Sequence, residues 1–401
     1  MSFSKYIVPA LLASGAAMAA SSDNCGTSGS TTNITSQSDA DALSSCTTVK
    51  GDIALIPGIS NGITFNGIEQ ITGSLIATDV TNLTSLSAPD LTSIADEFHL
   101  ESIILLTSLS FPELTSVGSI SFEALPNLQS LTFTTGVNKS GSVSITNTGL
   151  TSLSGIELDT VGDFDLTANT ALTSVNVNNI KNITGTLIIS ANSNKLDVEF
   201  PNLVTASNMT FRNTSTISVP SLANLTGELG LFGNYITNFT APNLTTCADL
   251  DFEDNSKLAS ISLPELVHVT GGLAISNNAD LMTINFPKLS TVAGAIDITG
   301  DYTNVSLPSL TEVKGGFNAE STGNFSCSAF NKLDDDNVIS GSYTCNTTSH
   351  PTNLDGSSGS SSTTSSSSSA SATSSGAAVG NVAIPSVGFT ALVGALLSLL
   401  M

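Results

Sequence analysis

Asp249, Asp251 and Glu253 alternate with Leu250 and Phe252. In an extended strand that alternation puts all three carboxylates on one face, next neighbours ~6.5–7 Å apart. Two carboxylates so spaced suit an inverting glycosidase, where one protonates the leaving oxygen and the other activates water. The same phase in the adjoining repeats holds Gly230 and Ala274, so no carboxylate or cation stands there to tune a pKa or orient a sugar. The next acids at that phase, Asp165 and Asp297, lie repeats away. Asp249, Asp251 and Glu253 are therefore the only catalytic candidates, and solvated surface acids are the expectation.

Other chemistry has less to stand on. His99, His268 and His350 are far apart, and the first two sit between apolar neighbours that turn them outward. No cysteine or histidine cluster has metal-ligand spacing. There is no GxSxG, no phosphate-binding loop and no dinucleotide fingerprint. The expectation is a protein without metal or cofactor that is not an enzyme. A net charge of -23 with 10 Lys+Arg excludes nucleic acid, which needs clustered cations. Without Trp and with four Tyr, an aromatic sugar-binding groove is not expected either.

The elements that must position these residues come from a repeat of about twenty-two residues. Asn278 to Thr299 reads NADLMTINFPKLSTVAGAIDIT, beside NSKLASISLPELVHVTGGLAIS from Asn255 to Ser276. Its proline recurs at Pro89, Pro112, Pro201, Pro220, Pro242, Pro264, Pro287 and Pro308. The steps are 19 to 23 residues, apart from one of 89 between Pro112 and Pro201. Period-two pairs such as Leu250-x-Phe252 and Ile296-x-Ile298 predict short two-sided strands, often after a glycine that permits a corner. Each repeat has three short apolar bursts, hence three sides. The fold predicted is all-β: a right-handed parallel β-helix or leucine-rich-like solenoid of about twelve ~22-residue coils, from about Gly51 to Gly323. The weak repeat at Gly136 to Gly141 is the one candidate break into two halves. Asn169, Asn192, Asn234, Asn255 and Asn278 share one offset from the strand and predict a corner ladder.

Solenoid ends expose strand edges and need caps. Cys25 pairs with Cys46 and Cys327 with Cys345, because the other two connectivities would join opposite ends of a rod tens of Å long. Cys247 is in phase with inward valines and reads as a buried, inert thiol.

Processing signals flank the repeats. Lys5, the apolar run Tyr6 to Ala17 and Ala17-Met18-Ala19 read as a signal peptide, residues 1–19. The solenoid with its caps then spans 20–348, and a Ser/Thr-rich stalk 349–376. Gly376-Ala377-Ala378, a spacer and the terminal apolar run Val387 to Met401 read as a GPI-attachment signal, with Gly376 attached and 377–401 removed. Twelve N-x-S/T sequons fit secretion: Asn33, Asn82, Asn138, Asn182, Asn208, Asn213, Asn224, Asn238, Asn243, Asn304, Asn324 and Asn346.

This order of signal peptide, Cys25/Cys46 cap, repeats such as SFPELTSVGSI, Cys327/Cys345 cap, stalk and GPI tail resembles the fungal GPI-anchored cell-wall organisation proteins, whose ectodomains are similar to receptor L-domains. The resemblance implies a non-enzymatic glycoprotein of the outer plasma membrane and cell wall, needed for wall integrity. Its partners would be wall glucan, other wall proteins and, through the GPI lipid, the membrane. The alternatives are a β-helix polysaccharide hydrolase or transglycosylase, and a receptor-like ligand-binding ectodomain.

Overall fold

The computed structural model describes residues 25–347. The proposed signal peptide, stalk, Gly376 and terminal apolar tail, and His350, lie outside the described residues. Within them the chain forms a parallel β-solenoid of about fifteen turns. Every named strand pairing is parallel, each turn meeting the next one repeat along the chain. At ~4.8 Å per turn this makes a rod on the order of 70 Å.

The principal side is one sheet whose rungs include Ser93–Glu101, Ser116–Leu125, Lys139–Thr148, Leu229–Phe232, Leu250–Glu253 and Ile296–Gly300. A second side is made of three-residue strands such as Asn238–Thr240 on Ser260–Ser262. Two-residue strands such as His268–Val269 on Thr291–Val292 extend the principal sheet past a break that longer rungs such as Ser93–Glu101 carry as an irregularity.

The turn count exceeds the predicted twelve because both cap segments are themselves rungs. Gly26–Ile34 pairs with Thr48–Leu55, and Tyr343–Asn346 with Phe317–Ser321. Gly136 to Gly141 is no break. Lys139–Thr148 pairs in register with Ser116–Leu125 before it and with Asp163–Thr167 after it.

The period-two pairs work as the physics requires. Along a rung, alternate residues point in, and those at one phase stack between turns into a single apolar column. Leu100, Phe122, Ile145, Leu166, Ile189, Phe211, Leu231, Phe252, Ile275 and Ile298 form one such column and are all buried. Phenylalanines interlock across sides: Phe98 meets Phe111 at 4.9 Å and Phe122 edge-on at 5.2 Å. Burying each such side chain contributes roughly 1.5–3 kcal/mol before entropy is set against it. Cys247 lies in this core, and burial pushes its thiol up to about 12.

The chain leaves the principal sheet through a left-handed corner, with φ of 60° at Ala168, 58° at Asp254 and 56° at Asn277. The next residue is the ladder position. Asn169, Asn192, Asn234, Asn255 and Asn278 are all buried there. Each of Asn192, Asn234, Asn255 and Asn278 accepts the ladder residue's N–H from the turn before, as Asn278 does from Asn255 at 3.0 Å. Its amide donates to a carbonyl inside the coil, as Asn255 does to Leu231 at 2.8 Å. Thr148 and Thr214 take the same position with hydroxyls. Beyond Asn278 the buried Tyr302 continues this packing, its hydroxyl within reach of the Ile275 and Thr299 carbonyls at 3.2 and 3.3 Å.

Candidate functional site

The rung Leu250–Glu253 buries Leu250 and Phe252 and leaves Asp251 and Glu253 half-exposed outside, with the exposed Asp249 just before it. Asp251 lies in register with Gly230 and Ala274. Ala274, with Gly272, leaves a shallow recess of about 330 Å³ bordered by Glu228, Asp249, Asp251 and Asp297, whereas the Phe232 ring covers Gly230. The predicted trio thus shares a face, but it is not alone. Asp297, two rungs from Asp251, reaches the same recess because Ala274 between them is short.

Sequence spacing does not single out Glu228 or Arg212. Glu228 precedes Leu229 as Asp249 precedes Leu250, which was the available signal. Arg212 ends its own rung and places its guanidinium over the Phe232 ring at 4.2 Å. Its charge opposes, without cancelling, the mutual repulsion of the acids.

Burial and that repulsion set the electrostatics. Asp251 is pushed up to about 7, first by burial, then by Glu253 and Glu228, with Arg212 pulling the other way. Glu228 is raised by burial and by the Asp249 charge. Asp297 is raised by burial, against a hydrogen bond from Asn318 at 3.0 Å. A carboxyl still protonated near neutrality can donate a proton, so acid chemistry is available to Asp251.

Asp249 is committed elsewhere. Its Oδ1 accepts the Gly272 N–H at 2.7 Å, tying one turn to the next. The same device recurs at Asp52 with Ser74 (2.8 Å), Asp163 with Thr186 (2.8 Å) and Asn208 with Glu228 (3.0 Å). Asparagine serves as well as aspartate, so the charge is not what the position needs. Asp249 holds the corner, and the trio reduces to Asp251 and Glu253.

The histidines are separate. His99 is half-buried, with Nδ1 3.1 Å from Ser121 Oγ and Nε2 3.3 Å from Glu101. His268 is exposed and meets Thr291 at 2.8 Å. Among the described residues no group of His, Cys, Asp or Glu is arranged to hold a metal ion, and no helix is long and apolar enough to cross a membrane.

Disulfides join Cys25 to Cys46 and Cys327 to Cys345, with Cα atoms 5.5 and 5.9 Å apart. Of the sequon asparagines, Asn182, Asn208 and Asn346 are half-buried; Asn33, Asn82, Asn138, Asn213, Asn224, Asn238, Asn243, Asn304 and Asn324 are exposed.

Comparison with known proteins adds to this geometry. A family model described as Ecm33, GPI-anchored cell wall organization protein, matches residues 1–44. A BspA-type leucine-rich repeat model matches in six copies over residues 92–218 and 191–295. The chain is 53% identical over 397 residues to Protein ecm33 of Aspergillus fumigatus, covering 99% of each. It is 45% identical over 346 residues to a cell surface GPI-anchored protein of Arthroderma benhamiae, covering 86% of this chain and 88% of the relative. It is 32% identical over 327 residues to cell wall mannoprotein PST1 of Saccharomyces cerevisiae, covering 80% and 73%. No solved structure matches it.

Proposed function

The chain belongs to the Ecm33 family of GPI-anchored cell wall organization proteins, and from that premise we propose that its solenoid is a lateral binding rod for wall glucan and other wall proteins. It is a structural protein of the cell surface and wall, and not an enzyme. The observation that carries the reading is the match to the Aspergillus fumigatus relative over 99% of both chains.

The geometry supports it. One outward column of the principal sheet runs through Ser121, Ser144, Asp165, Ile188, Thr210, Gly230, Asp251, Ala274 and Asp297. Its hydroxyl and carboxylate groups, one or two rungs of ~4.8 Å apart, suit a polyhydroxylated polymer lying along the rod. In the same reading residues 1–19 are cleaved, 349–376 form a glycosylated stalk, and Gly376 carries the lipid after loss of 377–401.

The test uses the full chain released from the cell surface by cleaving its lipid. It is incubated with β-1,3-glucan, β-1,6-glucan, chitin and mannan, following retention on the polymer, chain length and new reducing ends. Saturable retention on a glucan with unchanged chain length is expected. Retention on none of them sinks the glucan assignment, and protein-dependent shortening moves the function to Asp251 and Glu253.

A further inference from the structure

Interior turns of a parallel solenoid pair on both sides; the first and last do not. Among the described residues Gly26–Ile34 pairs only with Thr48–Leu55, and Tyr343–Asn346 only with Phe317–Ser321. The apolar core behind these rungs is plugged. Helix Gln37–Ala42 buries Ala40 at one end, and helix Ser328–Asp335 sets Phe330 against Phe317 at 4.9 Å at the other. These rungs are in part uncovered along their in-register residues: Thr31 and Asn33 of the first and Thr344 of the last are exposed. Such an edge accepts another strand. A last rung set on a first rung would continue the same parallel sheet, and head-to-tail contacts of this kind do not close but grow into filaments.

Both edge strands carry a sequon, Asn33-Ile34-Thr35 in the first and Asn346-Thr347-Thr348 in the last. An interior sequon on the same sheet, at Asn208, makes the contrast. Its Oδ1 takes the Glu228 N–H, and a Cβ at Gly227 would stand 2.1 Å from that oxygen. Asn208 is a structural asparagine, whereas the edge pair has no such corner duty. Asn33 is in register with Ala54, and that column runs through the rungs to Thr344, two residues before Asn346.

We propose that Asn33 and Asn346 are N-glycosylated and that their glycans guard the two open sheet edges, keeping the rod from pairing head-to-tail with a second copy. This rests on the cell-surface route of the family, not on glucan binding. The donor is a lipid-linked oligosaccharide diphosphate. The Asn Nδ2 bonds to the anomeric carbon, the carbon–oxygen bond to the diphosphate breaks, the diphosphate leaves with those electrons, and the amide loses one proton. If a second copy docked in continuing register, its Asn33 would sit one rung and two residues from Asn346 of the first. That is about 8 Å on one outer face, too close for two branched oligosaccharides.

The experiment uses the full chain released from the cell surface, with glycopeptide mass spectrometry and sedimentation velocity over a concentration series. The wild type should carry a glycan at both asparagines and sediment as a monomer. Asn33→Gln/Asn346→Gln should form dimers and longer species that grow with concentration, while the lateral control Asn238→Gln/Asn304→Gln stays monomeric. Should the edge variant not reach the surface, trimming the folded wild type with an endoglycosidase gives the same readout. A bare Asn33 or Asn346 in the wild type overturns the proposal. So does an edge variant or trimmed protein that stays monomeric, or a lateral control that associates equally.

Discussion

Asp249 and Gly271 sit one turn apart with no room between them: a Cβ on the glycine would stand 2.2 Å from the Asp249 Oδ1 that caps the Gly272 N–H. The carboxylate and the glycine are two halves of one corner. The same fit recurs at Asp163 and Gly185, also at 2.2 Å.

Gly271→Ala should therefore lower stability more than Asp249→Ala. Losing the cap leaves one N–H short of a partner, about 1 kcal/mol. Adding the methyl displaces the cap and strains the corner as well. Asp249→Asn should melt within a degree or two of wild type, because Asn208 already performs the task as an amide. Thermal denaturation of the three variants orders them, and an Asp249→Asn melt as low as that of Asp249→Ala would show that charge matters.

Asn255 offers a harsher substitution. Its side chain satisfies the Asn234 N–H and the Leu231 carbonyl, both inside the coil. Asn255→Ala strands two buried groups and opens a small void, costing on the order of 3 kcal/mol. Hydrogen exchange should quicken first in the turns around Leu231 and Phe252. Uniform exchange along the rod would contradict nearest-neighbour stacking of the turns.

Asp251 sets a pH dependence whose sign follows from linkage. Its folded pKa is about 7 against an ordinary 3.8, so the folded state holds the proton more tightly. Its contribution is full below about pH 4 and is lost as pH rises to about 7, after which the curve is level. Asp251→Asn should match wild type near pH 4 and melt higher at pH 8. Parallel melting curves for the two across that range count against the burial and repulsion assigned to this carboxyl.

The first disulfide closes a separation of 21 residues around the N-terminal turn. Cys25→Ser/Cys46→Ser should cost about 3 kcal/mol in that region. Limited proteolysis should then cut between Gly26 and Leu55 well before any interior turn. Unchanged resistance there would place the holding force in helix Gln37–Ala42 instead.

Much of the fold was legible because a solenoid writes its geometry into the period. Inward residues such as Leu250 and Phe252 must recur at one phase, and Asn255 must follow at one offset. The terminal rungs were not legible. Thr27 to Ser30 have no apolar alternation, because they lie in an irregularity of the ladder between Gly26 and Thr31 and bury no side chain. Thr214 was missed in the ladder because a hydroxyl does the work of an amide at that corner. At the acidic recess, one column of residues shows Asp251 but neither Glu228, which borders the recess from the neighbouring turn, nor Arg212, which acts on it by charge from over the Phe232 ring. Asp249 looked catalytic because a residue that accepts a backbone N–H spells the same as one that faces solvent.

The second disulfide also fixes how load would travel through the molecule. Tension applied to the chain beyond Thr347 arrives at Cys345 and crosses the sulfur bridge to Cys327. The intervening segment, with helix Ser328–Asp335 and its Phe330 plug, is bypassed. Pulling must then act on the Phe317–Ser321 turn before it can unwind the end of the coil. The covalent loop works as a stopper knot, and the rod must yield turn by turn from behind it.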